Sequence, residues 1–265
     1  MKYSTLTLQQ KPLVEVCAYS FESCVAAEKA QANRIELCSS MFEGGTTPSA
    51  GLVKMVTQKI KLGINAMIRP RGGDFCYTDE EIAIMKEDIL SMKALGCAGI
   101  VLGILHPDGR VNIQQTAELV KLASPMEVTF HRAIDMTPDY SEALEAIIEA
   151  GCDRILTSGQ KNLAIDGIEQ IEAIVEQAKG RIQIMVGSGV NLGNAIQIAQ
   201  TGVDAIHLTG KSTRDSMMTY RKEGIAMGGL PAVPEYEIAY SDSEKIKAVV
   251  DLLNQEFRVK NETKP

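Results

Sequence analysis

Arg34-Ile35-Glu36-Leu37-Cys38 is the stretch that decides how the chain is read. In a strand, successive side chains point to opposite faces. One face here carries Arg34, Glu36 and Cys38, and the other carries Ile35 and Leu37. The pattern recurs further along. Glu127, Thr129 and His131 alternate with Val128 and Phe130, and Gln183, Met185 and Gly187 with Ile182, Ile184 and Val186. Ala205, His207 and Thr209 alternate with Ile206 and Leu208. The apolar set needs the larger apolar interface, a ring of helices, so the polar set faces a barrel axis. A usual barrel interior is filled with branched apolar residues. This one is expected to hold carboxylates, imidazoles and thiols, the late ones in each strand lying at the mouth.

Working outward, eight runs read as strands: Leu13–Cys17, Arg34–Cys38, Asn65–Arg69, Gly99–Leu102, Glu127–His131, Arg154–Thr157, Gln183–Gly187 and Ala205–Thr209. Their spacing of roughly 20 to 35 residues is that of one strand–helix unit. Eight such units predict an α/β fold, a TIM-type (β/α)8 barrel of parallel strands inside an outer helix ring, as one domain over residues 1–265. Helix signals fill the gaps. Thr47-Pro48 reads as a cap followed by Pro at the first helical position. Thr78 and Glu81 form a capping-box pattern. Asn191 reads as the cap of the seventh helix. Gly63, Gly96, Gly151, Gly180 and Gly202 read as helix ends. Residues 211–242 form a long loop before the last helix, a candidate lid or subunit contact carrying Met217, Met218 and Met227.

Composition narrows the function classes. The 265 residues hold 27 Lys+Arg against 34 Asp+Glu, a net charge of -7, which argues against a nucleic-acid partner. Six Cys without a C-x-x-C pair do not support a disulfide scaffold or zinc ribbon. No apolar run of roughly 18 residues predicts a membrane span. The first ten residues lack a signal-peptide core, so a cytoplasmic location with reduced thiols is expected.

Four constellations fall at the predicted mouth. Glu15-Val16-Cys17 and Glu36-Leu37-Cys38 place two thiols side by side on neighbouring strands. Thiolates suit a soft ion such as Cu(I). Free Cys is also an ordinary buried packing residue. Arg69 and Arg71 end the third strand, Arg69 beside Glu36, either as an anion clamp or as a structural ion pair. His131 and His207, two of the 3 His, close strands five and eight and suit acid–base work or metal ligation. Ser158 with Gly187, Ser188 and Gly189 lies in Gly-rich turns where barrels bind anions, although tight turns need Gly anyway.

The blocks VEVC, RIELC, FEGGTTPS, MIRPRGGDF, VTFHRAIDM, RILTSGQ, VGSGV and STRDS…MG, in this order from about Val14 to Gly229, resemble the CutC family, named for copper homeostasis. The resemblance implies a TIM-type barrel, a cytoplasmic homo-oligomer and a Cu(I) site at Cys17 and Cys38. It leaves an enzymatic activity open. Two functions follow as expectations. One is a copper homeostasis protein binding Cu(I) through Cys17 and Cys38. The other is an enzyme on a small phosphorylated or carboxylated substrate, with Glu15, Glu36, His131 and His207 moving protons. In that case Arg69, Arg71, Ser158, Gly187, Ser188 and Gly189 would hold the anion.

Overall fold

Eight parallel strands close on themselves in the computed structural model, which describes residues 11–225, 227 and 233–262. They are β1 (Leu13–Ala18), β2 (Arg34–Leu37), β3 (Gly63–Met67), β4 (Gly99–Leu102), β5 (Glu127–Phe130), β6 (Arg154–Thr157), β7 (Gln183–Val186) and β8 (Ala205–Leu208). Each pairs with the next, and β1 returns to pair with β8. Closure leaves no row of unpaired backbone groups at a sheet edge. The expected barrel is the one observed. Eight helices belong to it: α1 (Phe21–Lys29), α2 (Ala50–Lys59), α3 (Asp79–Ala94), α4 (Ile113–Ala123), α5 (Tyr140–Glu149), α6 (Ile168–Ala178), α7 (Ala195–Gln200) and α8 (Ser243–Glu262). Among the described residues, no helix is long and apolar enough to cross a membrane.

The alternation works as expected. Ile35, Leu37, Ile100, Leu102, Val128, Phe130, Ile184, Val186 and Ile206 join Ile82, Met85 and Ile89 of α3 and Ile147 of α5 in one continuous apolar layer. That layer faces the helices. Truncating a fully buried member such as Phe130 to Ala would cost about 3–5 kcal/mol.

The inward face is polar in depth. Arg34 Nε donates to Glu15 Oε2, which also accepts from Asn65 Nδ2 at 3.1 Å. Arg154, 1% exposed, donates to Thr129 Oγ1 at 2.9 Å, Gln183 Oε1 at 3.0 Å and Glu127 Oε2 at 2.8 Å. Each buried guanidinium is thus paired, as desolvated charges require. Glu15 therefore lies low in the barrel, in a structural pair with Arg34.

Several local expectations need correction. The N-cap of α2 is Ser49, whose side chain accepts from Leu52 N. Thr47 is drawn away to the end of β3, where its amide donates to Arg69 O and its hydroxyl accepts from Arg69 N. Gly63 opens β3 instead of closing a helix. Asn191 binds Gly193 N and Asn194 Oδ1, so α7 starts later, after Asn194. The Thr78–Glu81 capping box is present. The segment 211–242 is not all loop. Its ends form an antiparallel pair, β9 (Lys211–Asp215) and β10 (Glu237–Ser241). This hairpin packs on α1 through Ser241 N to Ser23 Oγ and Arg214 to Glu22.

Candidate functional site at the barrel mouth

The C-terminal ends of the strands open into a cavity of about 980 Å³. Strand pairing puts Cys17 directly opposite Glu36 and Glu15 opposite His207. The loop after β3 adds Arg69 and Phe75, the loop after β5 adds His131, Arg132 and Asp135, and α8 walls one side with Lys245, Ala248 and Val249.

The floor is a cluster of buried ionisable groups. Glu36 Oε2 lies 3.1 Å from His207 Nε2, and Cys38 Sγ donates to the same oxygen at 3.6 Å. Burial opposes charge on Glu36, but His207 outweighs it by charge and hydrogen bond and holds the carboxyl below its usual range. Burial likewise opposes charge on His207, yet Glu36 and Cys17 hold its pKa well above the ordinary value. The pair is ionic at neutral pH. Cys17 is held below the ordinary thiol value, chiefly by a hydrogen bond with Cys38, against burial and the Glu36 charge. Cys38 is raised well above it by the same bond, by burial and by its acidic neighbours. Cys17 is thus the sulfur disposed to carry charge. Cys17, Glu36 and Cys38 present ligand atoms all within 4.8 Å of one another, as do Glu15, Glu36 and His207.

His131 differs. The Ala133 amide donates to its Nδ1 at 3.1 Å, which leaves the ring proton on Nε2. Burial, with the Arg69 charge nearby, lowers its pKa to about 4. The ring is neutral at pH 7 and meets Phe75 at a tilt of 53°, with centroids 4.8 Å apart. Two glycines admit the imidazoles. A Cβ at Gly103 would fall 2.4 Å from His131 Cε1, and one at Gly187 would fall 2.9 Å from His207 Nδ1.

The expected pairing of Arg69 with Glu36 is not formed. Arg69 lies beyond the end of β3, and its fork donates to the carbonyls of Glu43 at 2.6 Å, Gly45 at 2.8 Å and Gly73 at 2.8 Å. It still lines the cavity, with Ser188 and Gly189. Arg71, Ser158 and Gly187 do not line it. Arg71 is tied to Glu81 and Asp74, and the Gly187 amide is spent on Thr157 O. The amide and hydroxyl of Ser158 are taken by Asp135, whose carboxylate also accepts from Thr157 Oγ1, Gln160 N and Arg132 Nε. The chain thus fills the turn after β6 with its own carboxylate. Tyr19, Phe75, Arg132 and Asp135 were not singled out from the sequence. Asp135 and Arg132 do lie in the quoted block VTFHRAIDM, which was the available signal.

A family model described as the CutC family matches residues 12–212, well over half of the chain. The chain belongs to the CutC family. The human protein named copper homeostasis protein cutC homolog is 43% identical over 238 residues, covering 89% of this chain and 87% of the relative. A family protein CutC of Parabacteroides distasonis is 45% identical over 242 residues, covering 91% and 100%. The crystal structure of the putative copper homeostasis protein CutC from Streptococcus agalactiae is 38% identical with a TM-score of 0.71, covering 75% of this chain and 98% of that one. Cys17, Glu36, Cys38, His131 and His207 all fall inside the CutC match, whereas α8, which walls the cavity, lies beyond it.

Proposed function

We propose that this CutC family member is a cytoplasmic copper homeostasis protein that binds Cu(I) through Cys17 and Cys38. The observation that carries this reading is the sulfur pair at the barrel mouth, Cys17 lining the cavity and Cys38 buried behind it, close enough to share one ion, with Cys17 already disposed to ionise. Cu(I) is soft and prefers thiolate over carboxylate. Copper here is cargo, and the donor set fits it. Binding costs the proton of Cys38. That proton is released as the thiolate takes the ion. The copper homeostasis names of the relatives support the same reading. The test is a titration of the reduced protein with Cu(I) against a competing chelator. Wild type should outcompete a Cys17→Ser/Cys38→Ser variant by orders of magnitude, and equal affinities would sink the idea. The proposed homo-oligomer would use the region of the β9–β10 hairpin, where Met217, Met218, Tyr220 and Met227 are exposed. Sedimentation of wild type against Met217→Asp/Met227→Asp tests that contact.

A second reading, an enzyme acting on a small anionic organic compound, is favoured by the cavity itself. A volume of about 980 Å³ is far more than an ion occupies. Such volumes are typical of small-molecule sites. Thermal-shift screening with phosphate esters and sugar acids tests it. Stabilisation that survives Cys17→Ser supports it, and no stabilisation by any of them opposes it.

A further inference from the structure

Two buried carboxylate oxygens at the barrel mouth have no hydrogen-bond partner among the described residues: Oε1 of Glu15 and Oε1 of Glu36. The residues are 0% and 2% exposed. A buried acceptor without a donor is rare enough to need an explanation, and a bound cation is one. The two glutamates do not stand apart. A carboxylate oxygen of each and a ring nitrogen of His207 all lie within 4.8 Å of one another.

The spacing approaches that of a coordination shell. Ligands about 2.0–2.2 Å from one ion lie roughly 3.0–3.5 Å from each other in octahedral or tetrahedral geometry. His207 Nε2 is 3.1 Å from Glu36 Oε2 and 3.8 Å from Glu15 Oε1, so the second gap has a few tenths of an ångström to close. Glu15 is also held from behind. Its Oε2 accepts from Arg34 Nε and from Asn65 Nδ2 at 3.1 Å, which leaves Oε1 as the oxygen turned to His207. Outer contacts of this kind orient the ligands of a metal. Glu36 and His207 line the cavity of about 980 Å³, so an ion has a way in from that side. Three side-chain ligands beside an open space are the pattern of catalytic metal sites.

We propose that Glu15, Glu36 and His207 hold one divalent first-row ion of the harder kind, such as Mn2+, at the barrel mouth. Two carboxylates and an imidazole suit such an ion, as a thiol pair suits Cu(I). The site goes beyond the Cu(I) reading and uses neither sulfur, although Glu36 borders both clusters. The ion takes the place of the His207 Nε2 proton, which is released as it binds. It brings one charge more than that proton, and an anionic compound in the cavity offsets the difference. Positions left open by the three side chains take water or an oxygen of that compound, and an oxygen so held is polarised.

Mn2+ alone is the probe, because it disfavours thiolates. The electron paramagnetic resonance signal of the free ion falls as the ion binds, which counts bound ions. The reduced protein should take up one Mn2+ per chain, and Cys17→Ser/Cys38→Ser should match it. Spin-echo modulation of the bound ion should show a histidine nitrogen and change when the protein carries 15N-histidine. That readout needs no substitution, so it does not depend on how a variant folds. His106 is exposed, and His106→Gln should leave the modulation unchanged. Glu15→Gln keeps an oxygen for Arg34 and Asn65 and removes the free carboxylate oxygen. It should bind at least about tenfold more weakly, since loss of even an outer partner costs about 10–100-fold. No uptake of Mn2+ overturns this proposal and leaves both readings above standing. Uptake without histidine modulation, or modulation lost in His106→Gln, gives the ion to the surface and overturns it. Uptake lost in Cys17→Ser/Cys38→Ser gives the ion to the thiols and overturns it as well.

Discussion

Glu36 and His207 lie 171 positions apart in sequence and meet at 3.1 Å on the floor of the barrel mouth. Neither is free in water, with side chains 3% and 11% exposed. The pair's pH dependence follows from the directions of the two shifts. His207 is held above its ordinary value of 6.5, so its contribution to stability is full below that pH and is lost as pH rises through the folded value. Glu36 is held below 4.5, so its contribution is present above that pH and is lost as pH falls through the folded value. Glu36→Gln should cost about 3–5 kcal/mol near neutrality, because it strands a buried imidazolium. Urea unfolding of wild type and variant across pH checks this. The gap between them should be flat from pH 4.5 to 6.5 and narrow outside that range. A gap that does not vary with pH would contradict the ionic pair.

The thiols should differ in reactivity. Burial raises Cys24 to about 12, Cys97 to about 11 and Cys152 to about 12, whereas Cys17 is lowered. The thiolate is the reactive form. Limited treatment with iodoacetamide at neutral pH, read by mass spectrometry, should label Cys17 before Cys24, Cys38, Cys97 or Cys152. Cys38→Ala removes the bond that lowers Cys17 and should slow that labelling several-fold. Labelling of Cys38 ahead of Cys17 would reverse the assignment of the charged sulfur.

The glycines that admit the imidazoles make a second structural prediction. Gly103→Ala places a Cβ against the His131 ring, which is fixed and buried. Gly187→Ala places one against His207 and against Leu156 Cδ1 at 3.0 Å. Overpacking of this kind costs about 1–3 kcal/mol. Both variants should melt lower than wild type, and each should move the ring signal of its own histidine and leave the other in place. An unchanged His131 spectrum in Gly103→Ala would show that the ring has slack.

Asp135 offers a test through anions. Its carboxylate occupies the amides of Ser158 and Gln160 and the hydroxyls of Thr157 and Ser158. Asp135→Ala should destabilise by about 3 kcal/mol, the upper range for hydrogen bonds to a charged group. The vacated amides then become an anion site. Added sulfate should raise the melting temperature of Asp135→Ala more than that of wild type, and equal responses would count against the vacated site.

The barrel and the floor of the site were legible in the sequence for one reason. Strand alternation assigns a face to every residue, so Glu36, His207, Cys17 and Cys38 could be placed together once the strands were recognised. What alternation does not encode is what loops do. Arg69 was expected beside Glu36, but it lies past the end of β3, where carbonyls of the loop after β2 and of its own loop come within reach. Ser158 looked like a free anion donor because nothing local marks Asp135 as its partner, 23 positions earlier. The hairpin of β9 and β10 was read as loop because Lys211–Asp215 is a run of polar and charged residues with no apolar alternation. Thr47 carried the right chemistry for a cap, and a tertiary bond to Arg69 claimed it first.

The seam between β1 and β8 sets the order in which the site comes into being. Cys17 and Cys38 leave the ribosome early, while His207 and the β8 backbone that must pair with β1 arrive only after most of the chain has been made. Until then Glu36 has no ionic partner and the cavity has no wall from α8. In the finished protein both sulfurs are buried, and that burial needs the ring to be closed. A nascent chain stalled before β8 would therefore expose to scavenging metals and oxidants the same two thiols that the finished protein keeps for itself.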